Sequence, residues 1–219
     1  MAKKKRRRSG MPIIIVLLVI LLVLIGGGIY FYINGNRLML PGEWGREIDI
    51  TDQVRYEAKE YIESAAFGDE IDIAEFIPKV KLNTVLVVSK DGEIAEVVSE
   101  EDYNQMTLVC QTGLENAIRE LISRRIKDNY IETDMSVDDL IQETFKTSLT
   151  DYLKQYGPKL LPDYSELDSE YGMSAFYKAT KDEITIQGTD GSETVCNYAV
   201  THGMLVIDYS DGAVVYYER

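Results

Sequence analysis

The chain opens with an apolar run and continues with amphipathic segments. From Ser9 to Asn36 no side chain is ionised, and Ile13 to Ile25 is almost wholly Ile, Leu and Val. At about 1.5 Å per residue, about 20 apolar residues span a hydrocarbon layer of about 30 Å. Pro12 to Ile33 supplies that length and predicts a transmembrane helix over 11–33. In lipid the backbone must satisfy its own amides, which forces the helix. Tyr30 and Tyr32 fall at its far end, where aromatic rings with polar tips favour the interface.

Beyond a Gly- and Pro-containing linker at 34–42, the periodicity alternates between strand and helix. Trp44, Ile48 and Ile50 alternate with charges and predict a first strand. Thr51 is the expected N-cap of a helix whose apolar face is Val54, Ala58, Tyr61, Ile62 and Ala65, ending near Gly68. Lys81 to Ser89 reads as a strand, with Val85 to Val88 expected to be buried on both faces. Asp91-Gly92 predicts a hairpin into Ile94 to Val98. Ser99, with Asp102 as a capping-box partner, starts a long helix lined by Tyr103, Met106, Cys110, Leu114, Ala117, Leu121 and Ile122. One further helix is expected from the Ser136 cap to Gly157-Pro158.

After Met173 the period becomes two. Short strands alternate with Lys181-Asp182, Asp190-Gly191, His202-Gly203 and Asp211-Gly212, the signature of an antiparallel meander. Cys196, Tyr198 and Val200 share one face, and Tyr216 and Tyr217 point to opposite faces. The expected fold class is α+β. An N-terminal transmembrane helix precedes about eight strands in a barrel-like meander, with three amphipathic helices packed on it. The expected division is a basic cytoplasmic segment 1–10, the span 11–33, the linker 34–42 and one extracytoplasmic domain 43–219.

Charge orients this plan. Lys3 to Arg8 are six consecutive cations before the span, and cations beside a span stay cytoplasmic. The expected location is therefore the cell membrane, single-pass, with the C-terminal domain outside. A cleaved signal peptide is the rival reading. Its apolar core is shorter and ends in small residues, and no A-x-A pattern follows here. No Cys stands near the end of the run for a lipoprotein anchor. All 37 acidic residues, but only 17 of the 23 basic ones, lie from Arg37 onward, giving that part a net charge of −20. Such a surface is a poor partner for nucleic acid and is repelled by anionic lipid.

Candidate chemistry is sparse. His202 is the one histidine and falls in a turn, and no G-x-S-x-G elbow, phosphate-binding loop or dinucleotide fingerprint occurs. One His and two Cys make a poor zinc set. The acidic runs Asp69, Glu70, Asp72, Glu75 and Asp163, Glu166, Asp168, Glu170 lack EF-hand spacing and read as solvated loops. No catalytic, cofactor or metal residue is assigned, and no cofactor is expected. Cys110 and Cys196 admit either a disulfide or two buried thiols.

Gly42-Glu43-Trp44, the repeated Asp-Gly hairpins and the closing Val214-Val215-Tyr216-Tyr217-Glu218-Arg219 resemble the lipocalin-like small β-barrel domains of Gram-positive membrane-anchored and secreted proteins. The resemblance implies a structural plug in which Arg219 stacks on Trp44. It covers the first strand and the last 47 residues; the long helices between them depart from it.

The expected function is a non-catalytic, membrane-anchored extracytoplasmic domain that binds a small ligand or an envelope partner protein, with lipid as the partner of its one span. The alternatives are an assembly subunit acting through its transmembrane helix, with Gly26, Gly27 and Gly28 as contact, and a carboxylate-dependent envelope hydrolase.

Overall fold

A computed structural model describes residues 11–64, 71–128 and 135–219, with the side chains of 11–15 left aside. Asp69 and Glu70 of the first acidic run lie outside these residues. Eight antiparallel strands close into one barrel in chain order: β1 (Gly42–Asp49), β2 (Lys81–Val88), β3 (Glu93–Val98), β4 (Met173–Ala179), β5 (Glu183–Gly188), β6 (Glu193–Thr201), β7 (Met204–Tyr209) and β8 (Gly212–Glu218). Among the described residues the helices are α1 (Met11–Met39), α2 (Thr51–Ser64), α3 (Glu100–Asp128), α4 (Val137–Phe145), α5 (Leu149–Tyr156) and α6 (Tyr164–Tyr171). Five helices besides α1 thus replace the expected three.

The chain divides into two compact units. The first holds the described part of Met1–Gly42, the β2–β3 hairpin tip Val88–Glu93, and Ala175–Glu218. Within it the meander follows its turn residues. His202 (φ 50°) and Gly203 (φ 76°) both take left-handed conformations, as a two-residue I′ turn between β6 and β7 requires. The β7–β8 turn differs by one residue from the expected Asp211-Gly212. Tyr209 pairs with Gly212, so Ser210 and Asp211 make the turn. Val200 faces Leu205, which faces Tyr216, forming a buried row across three strands. Cys196 and Tyr198 are buried on the same side as Val200. Tyr216 is 1% exposed and Tyr217 58%, the alternation that period two predicts.

The second unit comprises Glu43–Val87, Ile94–Ser174 and Arg219. Its core joins Val54 and Ile62 of α2, Ile77 and Leu82, Cys110, Leu114 and Leu121 of α3, Ile141, Leu149 and Leu167. Five expectations are corrected here. Thr51 does not cap α2 with its side chain: its hydroxyl donates to the Val80 carbonyl (3.3 Å) and accepts from the Val80 amide (2.9 Å). Ser99 makes half a capping box. Its hydroxyl accepts from the Asp102 amide (3.3 Å), while its own amide donates to the Asn83 carbonyl (3.2 Å) and Asp102 accepts from the Asn83 side chain (3.1 Å).

The expected single helix from Ser136 is two. Lys146 turns left-handed (φ 60°) at the end of α4, and Ser148 caps α5 by accepting from the Asp151 amide. The acidic run at 163–170 is no loop. The Asp163 amide donates to the Glu166 carboxylate (2.8 Å), one arm of a capping box, and Leu167 anchors α6 in the core. β2 alternates strictly, with Leu82, Thr84, Leu86 and Val88 buried and Val87 exposed, so Val85 to Val88 is not buried on both faces.

Candidate functional site

The most unusual surface belongs to α1. Every side chain from Val16 to Ile33 is exposed. Val16–Met39, 24 residues of α1, is long and apolar enough to cross a membrane. The expected linker at 34–42 is mostly helix, because α1 continues unbroken to Met39 and β1 begins at Gly42. Leu40, between them, is fully buried and pins the junction. Around Gly26, Gly27 and Gly28 an added Cβ would meet nothing within 4 Å, so this patch faces open space.

Where α1 ends, the first unit folds against it. The Asn36 side-chain amide donates to the Lys181 carbonyl (3.0 Å), and Lys181 Nζ sits 4.5 Å from the centre of the Tyr32 ring. An open cleft of about 560 Å³ lies alongside. Arg37 and Leu38 of α1, Lys90 of the β2–β3 hairpin, and Tyr177 and Lys178 of β4 line it. The β4 wall is held rigidly: the Tyr177 amide donates to Gly92 (2.7 Å), and its hydroxyl to Ser89 (2.7 Å). Tyr198 behind it donates its hydroxyl to Thr180 (2.7 Å). Burial pushes the Tyr198 phenol up to about 12, reinforced by Asp182 and opposed by Arg37. Burial also raises the Tyr177 phenol, again opposed by Arg37. The described cations of this unit, Arg37, Lys90, Lys178 and Lys181, gather at the foot of the helix, although the chain is strongly acidic. Charge counting missed this. Lys90 and Lys181 occupy hairpin turns at separate places in the sequence, and only the sheet brings them to α1.

In the second unit, β1, β2 and β3 turn three polar side chains to their buried face. Arg46 Nε donates to Glu96 (2.9 Å), and the Thr84 hydroxyl donates to the same carboxylate (2.6 Å). Glu96 is 5% exposed, and a carboxylate so buried is costly to leave without partners. Trp44, 3% exposed, precedes them on β1. The Arg219 amide donates to the Glu43 carbonyl (3.1 Å), and its side chain lies over Gly45, where a Cβ would meet Nε at 3.2 Å. The last residue thus closes on the first strand beside Trp44. Successive strand residues point to opposite faces, so Arg219 covers the face of β1 opposite the indole.

A second cleft, of about 260 Å³, is lined by Tyr103, Thr107, Cys110, Lys154 and Asp163. Cys110 is free and buried, and burial lifts its thiol to about 11, so it is protonated at neutral pH and is no nucleophile. Lys159 pairs with Asp163 across its rim. Cys196 is also free and buried, so the two thiols are unbridged. Among the described residues no three His, Cys, Asp or Glu side chains converge as a metal site. Comparison with protein-family models, with curated proteins and with solved structures finds no match.

Proposed function

We propose that the chain is a single-pass membrane protein, N-terminus in the cytoplasm, whose folded part lies outside and binds a small ligand or an envelope partner without catalysis. The observation that carries this reading is the apolar helix that the rest of the chain leaves uncovered. Burying one such Leu or Ile is worth about 2 kcal/mol, so a rod of them in water is untenable and lipid is the natural cover. Lys3 to Arg8 favour the stated orientation. The closed eight-strand barrel supports the lipocalin-like reading.

The test is made on intact cells carrying the full chain with a tag at each end. Alkaline carbonate should leave the protein in the membrane pellet. External protease should then remove the C-terminal tag and spare the N-terminal one. Release into the carbonate supernatant refutes the anchor, and the opposite pattern of protection refutes the orientation.

A further inference from the structure

The cation cleft gains a meaning once its height along α1 is worked out. The apolar run ends at Ile33, and Arg37 stands four residues on, about 6 Å further along the axis. A headgroup layer is about 5–7 Å deep on each side of the hydrocarbon. Arg37 therefore lies at headgroup depth, and the cleft with it. Lys181, held over Tyr32 at the end of the apolar run, marks the same level.

We propose that this cleft seats the phosphate of an anionic phospholipid, a site that rests on the membrane-anchored reading above. Three cations reach it from three separate segments: Arg37 from α1, Lys90 from the hairpin and Lys178 from β4. None of the three has a carboxylate within ion-pairing distance among the described residues. Asp91 also lines the cleft and Asp182 follows Lys181 in its turn, so with Lys181 counted the local balance is four cations to two acids. Arg37 offers a planar fork matched to phosphate oxygens, and the lysines act as point charges beside it. Exposed Ile33 and Ile29, one and two turns before Arg37 on the same face of α1, supply an apolar wall where the lipid's glycerol and first methylenes would lie. The chain from Arg37 onward, at −20 overall, repels an anionic leaflet. Attraction is thus confined to the cleft, and the recognition is of one seated lipid rather than of a charged surface at large.

The test uses the full chain in non-ionic detergent, offered equal amounts of dioleoylphosphatidylglycerol and dioleoylphosphatidylcholine, with bound lipid read by native mass spectrometry. Phosphatidylglycerol should be retained in clear preference. Each cation near an anionic phosphate contributes roughly fivefold, so Arg37→Gln with Lys90→Gln and Lys178→Gln should cut that preference by more than about tenfold. Their melting temperature and carbonate-resistant pelleting should stay unchanged, since all three side chains are exposed. Equal retention of the two lipids by the unmodified chain, or an unaltered preference in the triple variant, overturns the site. Displacement of the lipid by excess inorganic phosphate would make the occupant a soluble phosphate and overturn the lipid assignment. Loss of the chain from the carbonate pellet sinks the anchor; pelleting without lipid preference sinks the site alone.

Discussion

Gly113, in the middle of α3, lets the sign of a single substitution test the packing of the second unit. In an exposed helix, Gly→Ala stabilises by about 1 kcal/mol. Here a Cβ would stand 2.6 Å from the Phe76 carbonyl oxygen and 2.9 Å from Ile77 Cγ1, where ordinary contact begins at 3.4 Å. A backbone carbonyl cannot rotate out of the way as a side chain does. The segment is also pinned: the Phe76 and Ile77 amides both donate to Ile73, and the Arg55 guanidinium donates twice to the Ile77 carbonyl, at 3.0 and 2.7 Å. α3 itself would have to withdraw, loosening Cys110, Leu114 and Ala117 in the core. A clash on immobile backbone falls at the upper end of overpacking costs, about 2–3 kcal/mol, which exceeds the helix gain. Gly113→Ala should therefore destabilise by about 1–2 kcal/mol, lowering the melting temperature of the full chain in detergent by about 3–6 °C. Circular dichroism at 222 nm during heating measures it. A variant that melts higher than the parent would show that α3 and the 76–77 segment do not approach closely, and the argument would fail.

Two other outcomes follow from buried groups. Glu96→Gln strips Arg46 of its charge partner and should cost about 3 kcal/mol, while Arg46→Met with Glu96→Leu should recover most of it; denaturant midpoints of the single and double variants check this, and equal losses would sink the pairing. At pH 8, iodoacetamide should leave the native chain unlabelled and add two groups after denaturation, since both thiols are free and buried. Burial raises the Cys110 thiol from 9.0 to about 11, so the folded state holds this proton more tightly than the unfolded one. That contribution to stability is intact below pH 9 and is lost as the pH climbs towards 11; a melting temperature flat across this range would contradict it.

Much of the architecture is legible from neighbouring residues alone. The α3 stripe, the period-two strands and the His202-Gly203 turn are set by contacts within a few positions, and these fell where their patterns placed them. The local errors share one cause, which is that polar side chains near a helix start have more than one use. Thr51 carries the composition of a cap but gives its hydroxyl to Val80. Asp163 and Glu166 look like a solvated acidic loop, yet their spacing is that of a capping box, and Leu167 alone signals the buried face. Ser148-x-x-Asp151 repeats the Ser136-x-x-Asp139 start and could have revealed the break at Lys146.

The sequence by itself determined that an apolar rod precedes an acidic folded part, where most strands and helices run, and which side of each is buried. These are consequences of periodicity and charge order, which act over one or two turns of chain. Only the tertiary structure decided which charges meet. Asn36 and Lys181, 145 positions apart, touch because the meander folds back against α1. Arg46, Thr84 and Glu96 meet because three strands turn the same face to the core. Pairing at such separations depends on sheet closure and register, and no local pattern encodes the partner. A net charge of −20 therefore coexists with a patch of opposite sign at the foot of the helix.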